Sequence, residues 1–463
     1  MIHVATIRAP SRRRSPVAPA NRWAPMPRVL LIACALAGAQ LPALGQSPSR
    51  SFLPPDEVVE RAIADAPQSR AAASQQDQAV AEARALERGP YETELAVIPQ
   101  QRRVEGGTNY RELEALLTRR VRLPGKIRLD GEIGTLGSRV AGLRLADAHH
   151  QGARLLLRDW MAWLRQAERA RLVAAQRDLM AQDRDAIAKR VRLGDAAQRD
   201  LDLADAGLAR LQAESLAASA LRDEAQRMLQ GEFPRLPLPQ RVPEIPAPTP
   251  LADAGSWTQR IVARSHEIGA TDAEALRRQR VAERAHADRV PDPSFGVRYL
   301  DERGGSERAL GLVFSIPLGS SARGDRAAAE QAAAAAAGAE AEAMRRRIAL
   351  DADLLVQGAA AAQAQWQQLA QARKAAEAAA ARSRRAYVLG EAAISEWIAA
   401  QRQAQELALA ELDTRAGAVE GWLRVEVDSH ELWHLHGDEE RAAQTADATS
   451  QEVGALPDLP GTR

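Results

Sequence analysis

Three histidines near the end of the chain are the residues best suited to metal chemistry. His430 and His434 are spaced i, i+4, so on a helix their imidazoles share one face and can bind one ion, with His436 close by. No cysteine or evident fourth ligand lies beside them, and Trp433 interrupts the group. An ordinary helix end is the alternative interpretation, and we expect no metal or other cofactor.

Two aspartates, Asp200 and Asp202, are the second candidate site. Carboxylates that several subunits place around one pore form a ring that favours cations. Acidic side chains are also common in the first turn of a helix, where they interact favourably with its dipole. The pair is therefore interpreted as candidate pore-constriction acids, with a solvated helix start as the alternative.

Composition and motifs argue against other functions. The 463 residues include 62 Lys and Arg against 61 Asp and Glu, so the net charge of +1 creates no overall attraction to nucleic acid. The sequence contains no nucleophile elbow and no glycine-rich phosphate loop. We expect neither an enzyme nor a nucleic-acid-binding protein.

The elements that must position these residues occur twice. A Leu-Gly-acid motif stands in each half, and both motifs lie in long proline-free stretches, 125–233 and 318–456. Apolar residues with 3-4-3 spacing follow each motif, a pattern typical of coiled coils. We predict two antiparallel pairs of long helices that turn at these motifs, the first helix running from about Val140 to Leu193. The motif residues are Arg192, Leu193, Gly194, Asp195, Val388, Leu389, Gly390 and Glu391.

Each half also opens with a helical segment, about 55–86 and 257–287, and continues into alternating segments that predict β-hairpins at 91–123 and 294–317. The last segment alternates four apolar residues with smaller ones: Leu310, Leu312, Phe314 and Ile316. Runs of ~9–11 such residues are typical of membrane-spanning strands, which makes these four candidate lipid-facing residues. Four strands cannot close a barrel, because the smallest use ~8, so several chains must pool theirs. Two soluble hairpins packed on helices are the alternative.

The remaining segments set the expected boundaries. An apolar run after Arg28 predicts a signal peptide within residues 1–45, whose N-terminal part is an over-called extension if Met26 is the true start. Cys34, the only cysteine, lies in this segment and is either removed with it or lipidated. The two repeats are expected at 46–233 and 252–436, with a proline-rich connector at 234–251 and a disordered tail at 437–463.

Together these features resemble the TolC-like outer-membrane efflux proteins, the outer-membrane factors of tripartite pumps. The resemblance covers about residues 52–436 and rests on the doubled organisation, the Leu-Gly-acid motifs, and the segment ends Leu123-Pro124-Gly125-Lys126 and Ile316-Pro317-Leu318-Gly319. Leu-Pro-Gly-Lys followed by Arg128 resembles the heavy-metal branch that includes CzcC and CusC.

The resemblance implies a mainly α fold with a transmembrane β-barrel. A long antiparallel helical coiled-coil tunnel and four strands per chain would assemble into a homotrimer with a twelve-stranded barrel. The barrel would lie in the lipid bilayer of the Gram-negative outer membrane and the tunnel in the periplasm.

The resemblance further implies a passive exit duct. A periplasmic adaptor (a membrane fusion protein) would dock on the Leu-Gly-acid tips, and an inner-membrane transporter, often of the resistance-nodulation-division type, would deliver the substrate. The sequence leaves metal cations, organic toxins and polypeptides open as cargo. A periplasmic coiled-coil adaptor or scaffold that does not span the membrane is the alternative function.

Overall fold

A computed structural model describes residues 50–250, 253–319 and 321–433. The predicted signal peptide with Cys34, the residues His434 and His436, and the predicted tail at 437–463 lie outside the described residues.

The described chain is mainly helical and contains one antiparallel sheet of four strands, which confirms the predicted combination of long helices and four strands per chain. The helices are α1 (Asp56–Ala64), α2 (Pro67–Arg88), α3 (Pro124–Leu193), α4 (Gln198–Glu232), α5 (Ala254–Arg264), α6 (His266–Ala287), α7 (Ser321–Leu389) and α8 (Ile394–Asp428). The strands are β1 (Thr93–Arg102), β2 (Tyr110–Arg120), β3 (Ser294–Glu302) and β4 (Glu307–Ser315). The four strands pair in chain order, β1-β2-β3-β4. Among the described helices, none is both long and apolar enough to cross a membrane.

Both halves of the chain follow one plan: two helices, a hairpin, a long helix and a shorter one. The opening segment of each half is divided into two helices, where the sequence suggested one stretch. In the first half the break precedes Pro67, which occupies the first turn of α2 and disfavours a helical residue before it. In the second half Ser265 caps α6 by accepting a hydrogen bond from the backbone N–H of Ile268 at 3.2 Å.

The first long helix begins earlier than predicted. α3 starts at Pro124, directly after β2, and its 70 residues give a length of roughly 105 Å. The prediction of a start near Val140 was wrong because Pro124 begins the helix as well as ending the strand segment. Proline fits the first turn of a helix, where its missing N–H costs nothing.

The largest apolar core joins the two halves. It contains Trp160 of α3, Leu229 of α4 and Leu423 of α8, all almost fully buried. The described part of the proline-rich connector adds Leu236 and Ile245 to this core. The connector is therefore packed against the helices over part of its length.

The long helices lie side by side in a row, as the strands do in the sheet. In one row α4 packs on α3, α3 on α8 and α8 on α7, while α6 packs on both α3 and α7 and α2 packs on α3. In the described part of the chain α4 makes no substantial contact with α7. The row α4-α3-α8-α7 therefore has α4 and α7 at its two ends, just as the sheet has β1 and β4 at its two edges.

Candidate functional site

One face of the sheet is apolar and exposed. The register places Leu312 opposite Val297, and Val297 opposite Leu117. The Leu312 side chain is 91% exposed, and the rings of Phe295 and Phe314 lie 5.1 Å apart on the same face. All four predicted lipid-facing residues are exposed: Leu310, Leu312, Phe314 and Ile316. The described chain leaves this face uncovered, and exposed apolar faces of this kind are typical of surfaces that meet a partner or lipid.

The opposite face of the sheet is polar. Arg298 Nε lies 2.7 Å from Glu114 Oε1, and Arg102 Nε lies 3.2 Å from Glu112 Oε1. Glu112 also accepts a hydrogen bond from the side chain of Gln100 at 3.2 Å. These residues alternate with the apolar ones along the strands, so one face of the sheet is mainly apolar. The other face carries the ion pairs, together with Ile98 and Leu116.

Each Leu-Gly-acid motif forms a tight turn between two long helices. Gly194 (φ +82°) and Gly390 (φ +76°) have left-handed backbone conformations. The N–H of Gly194 donates to the carbonyl of Val191 at 3.0 Å, and the N–H of Asp195 donates to the carbonyl of Arg190 at 2.8 Å. The second turn repeats both bonds, so each helix ends in a Schellman motif.

Three apolar side chains project from these tips into solvent. Leu193 is 76% exposed, and Val388 and Leu389 are exposed to a similar degree. None of the three belongs to an apolar core in the described part of the chain. They form an apolar surface at the end of both helix pairs.

Side-chain contacts connect the two helix pairs close to the turns. The Arg384 guanidinium binds the carboxylate of Asp183, with Nε 3.1 and 3.2 Å from its two oxygens, which joins α7 to α3. The ring of Tyr387 stacks on that of Trp397 with centroids 5.4 Å apart. Arg190 lies over the Tyr387 ring at 5.3 Å. Sequence reasoning missed this cluster, although two of the few aromatic residues stand beside the second motif.

The two candidate pore acids have different environments. Asp200 is half-buried near Tyr387, whose pKa is raised by burial and, to a smaller degree, by the Asp200 charge. Asp202 is exposed and accepts a hydrogen bond from the side chain of Gln198 at 3.0 Å. Both residues lie in the first turns of α4, as their position after Gly194 predicted.

The histidine found by sequence pattern has neighbours that the pattern did not indicate. The ring of His430 stacks on that of His266 at 4.6 Å and lies 5.0 Å from that of His150. The predicted partners His434 and His436 lie outside the described residues. Within the described residues, no group of histidine, cysteine, aspartate and glutamate side chains is arranged to bind a metal ion.

A buried carboxylate lies beside these rings. Asp428 Oδ1 lies 2.7 Å from Arg154 Nε, 2.8 Å from Arg424 Nε and 3.3 Å from His150 Nε2. Burial opposes ionisation, but the hydrogen bonds from His150 and Arg154 and the charge of Arg424 outweigh it and hold the pKa of Asp428 far below its usual range. This network joins α3 of the first repeat to α8 of the second.

Comparison with known proteins shows the fold. The sequence matches no family model and no curated protein. Solved structures similar to the chain include the outer-membrane channel OprN (19% identity, TM-score 0.66) and the Campylobacter jejuni outer membrane channel CmeC (11% identity, TM-score 0.68). Another is CusC (15% identity, TM-score 0.62), described in connection with folding and transmembrane channel formation. They cover 83%, 86% and 84% of this chain, and 92%, 90% and 95% of their own. At these identities the likeness establishes a common fold.

Proposed function

We propose that this chain is the outer-membrane channel subunit of a tripartite efflux pump, a passive exit duct. The observation that carries the proposal is the exposed apolar face of the sheet, with a charged face behind it. An apolar band outside and polar side chains inside are what a strand needs between lipid and a water-filled pore. The fold shared with OprN and CmeC, both described as outer-membrane channels, supports this reading.

Closure of the duct needs further copies of the chain. In lipid the unpaired backbone groups of β1 and β4 must be hydrogen-bonded, because no water is present to satisfy them. The helices α4 and α7 lie at the ends of the helical row in the same order as β1 and β4 lie at the edges of the sheet. If β4 of one subunit pairs with β1 of the next, α7 of the first subunit meets α4 of the next, so one rotation axis closes both the sheet and the helical row. Three subunits would then form a twelve-stranded barrel above a helical tunnel.

The tips are the proposed entrance. Exposed Leu193, Val388 and Leu389 offer an apolar surface to a helical hairpin of a periplasmic adaptor, which links the duct to an inner-membrane transporter of the resistance-nodulation-division type. Opening requires the two hairpins of one chain to slide apart, and the Arg384–Asp183 ion pair opposes that movement. Asp200 and Asp202, repeated in three copies, would line the entrance with negative charge.

We further propose the heavy-metal branch and metal cations as cargo. The support is Leu-Pro-Gly-Lys at 123–126 followed by Arg128, together with the fold shared with CusC. Deletion of the gene in its Gram-negative host is expected to increase sensitivity to transition-metal salts. Unchanged metal sensitivity with increased sensitivity to organic toxins would reject the metal cargo and retain the duct.

The duct is tested by fractionation and conductance. Full-length protein is expected in the detergent-extracted outer-membrane fraction, as an oligomer that produces ion-conducting steps in a planar bilayer. The alternative, a periplasmic scaffold, predicts a soluble periplasmic protein without conductance. Recovery of a stable monomer from the periplasm without detergent would reject the proposal.

A further inference from the structure

A cleft of about 250 Å³ lies where the strands meet the long helices. Its walls come from the segment before β1, the end of β2, the starts of α3 and α7, and the end of α6 with the residues after it. Charged side chains dominate this lining: Arg120, Lys126, Asp288, Asp292, Arg323 and Arg326.

The two carboxylates of the cleft already have cationic partners. Lys126, a buried lysine, places Nζ 2.9 Å from Asp288 Oδ1 and 2.9 Å from Asp292 Oδ1. Arg284 Nη1 also lies 2.5 Å from Asp288 Oδ1, so two cations face the two carboxylates. Asp292 also accepts a hydrogen bond from the hydroxyl of Tyr91 at 2.8 Å. Burial opposes ionisation of Asp292, but the hydrogen bonds from Lys126, Tyr91 and the Leu123 N–H outweigh it and lower its pKa, so the carboxylate is charged and fully engaged.

The three arginines are left without carboxylate partners. Arg120 lies over the ring of Tyr91, 5.1 Å from its centroid, and Arg323 Nη1 donates to the Asp288 carbonyl at 3.1 Å. Arg326 is exposed at the edge of the cleft. Within the described part of the chain, none of the three forms an ion pair, and the neighbouring Asp325 does not line the cleft. The cleft therefore has surplus positive charge.

We propose that this cleft binds a phosphate group. Guanidinium groups present planar pairs of donors that match phosphate oxygens, and they keep their charge at any physiological pH. A carboxylate offers two acceptor oxygens and one negative charge, whereas inorganic phosphate or a phosphate monoester offers more oxygens and more charge to the three arginines. No feature of the duct itself requires three arginines without carboxylate partners at this junction.

The phosphate can belong to a lipid headgroup or to a free phosphate. The lipid source rests on the proposed function, because only an outer-membrane channel would hold the periplasmic ends of its strands at the headgroups. Binding of free phosphate does not depend on that function. The test therefore uses detergent-solubilised full-length protein, so that its failure is independent of a failure of conductance.

The experiment is calorimetric titration with three probes: inorganic phosphate, glycerol 3-phosphate and the short-chain lipid dihexanoyl-phosphatidylglycerol, at constant ionic strength. Arg323→Gln and Arg326→Gln are the test variants. Arg346→Gln is the matched control, since it removes one exposed arginine from the same helix α7, away from the cleft. Circular dichroism and size-exclusion chromatography check that each variant is folded and assembled as the parent protein is.

Saturable binding that each test variant weakens about tenfold or more, the scale of one charge-assisted hydrogen bond, would support the proposal. The control variant is expected to bind as the parent does. Tighter binding of the lipid than of glycerol 3-phosphate would identify a lipid headgroup, and equal binding a free phosphate. Absence of saturable binding for all three probes, or equal weakening by Arg346→Gln, would overturn it.

Discussion

The sheet and the helical core use apolar residues in opposite ways. In the core, Trp160 and Leu423 are buried between helices of both repeats, and Trp160 Nε1 donates to the carbonyl of Phe52 at 3.0 Å. In the sheet, Leu312 and Phe314 project from the surface and contact little of the described chain. The core is complete within one chain, whereas the sheet is complete only in an environment that covers it.

This difference separates two sources of stability. The core lowers the free energy of a single folded chain by removing apolar surface from water. Exposure of the apolar sheet face to water is unfavourable, and transfer of that face to lipid would lower the free energy. Changes in the core should therefore alter the unfolding of the chain, whereas changes on the sheet face should alter its assembly in a membrane.

The largest effect is expected in the core. Leu423→Ala should lower the free energy of unfolding by about 2–5 kcal/mol, because it removes buried methyl groups and leaves a cavity. Denaturant unfolding of the detergent-solubilised protein measures this loss. Leu350→Ala, at an exposed position on α7, is the control and should change stability by less than about 1 kcal/mol. Equal losses in both variants would contradict the assigned core.

A charge on the sheet face is expected to act on membrane assembly. Leu312→Arg should cost about 2–4 kcal/mol if the side chain lies near the middle of the bilayer, and it should reduce the assembled oligomer in outer membranes. Ala309→Arg is the matched control, because Ala309 is an exposed residue of the same strand on the opposite face. Gel analysis of membrane fractions compares the two. Normal assembly of Leu312→Arg would count against a lipid-facing sheet.

A pH dependence is expected at the end of α8. Burial, opposed by the charge of Arg50, raises the pKa of Glu426 from its usual 4.5 to about 7. Its Oε1 lies 2.7 Å from Arg50 Nη2, and its Oε2 is buried with no hydrogen-bond partner among the described residues. The folded chain therefore retains this proton to a higher pH than the unfolded chain does.

The sign follows from proton linkage. The stability contributed by protonated Glu426 is fully present below about pH 4.5 and is lost as the pH rises through about 7. Glu426→Gln carries no charge at any pH, so it should unfold like the parent at pH 4.5 and be more stable at pH 8 by on the order of 3 kcal/mol. Unfolding curves at both pH values test this. A difference that does not change with pH would reject the assignment.

The smallest effect on stability is expected at the tips. Leu193→Ser combined with Leu389→Ser should change the free energy of unfolding by less than about 0.5 kcal/mol, because both side chains are exposed. Their loss should weaken binding of a cognate periplasmic adaptor about tenfold or more, since burial of a leucine contributes roughly 1.5–3 kcal/mol. Surface plasmon resonance measures the binding, with Leu276→Ser on α6 as control. Unchanged affinity in the double variant would remove the tips from the docking surface.

Local sequence patterns predict strands and turns, because these features are set by residues that are close in the chain. Alternation identified the four strands, and the repeated Leu-Gly-acid motif identified the two turns, because each pattern is set by the geometry of one element. The start of α3 was missed because Pro124 is compatible both with the end of a strand and with the first turn of a helix.

Contacts between distant elements could not be predicted in the same way. His150 lies on α3, His266 on α6 and His430 in the turn after α8, and no spacing in the chain indicates that their rings meet. The burial of Ile245 depends on α3 and α8 lying beside the connector, as does the hydrogen bond of its N–H to Glu168 at 3.2 Å. The order of helices across the layer is likewise a property of the whole fold.

In the proposed channel, one face of the sheet meets lipid and the other meets water. Cys34 is the only cysteine in the sequence, so on a Cys34→Ser background Leu312→Cys and Ala309→Cys each introduce a unique thiol. Spin labels are attached to these thiols in protein reconstituted in lipid vesicles. A label in lipid collides mainly with dissolved oxygen, and a label in water collides mainly with a water-soluble nickel chelate. The label at 312 is expected to collide mainly with oxygen, and the label at 309 mainly with the nickel chelate. Strong collision of the label at 312 with nickel would contradict this arrangement.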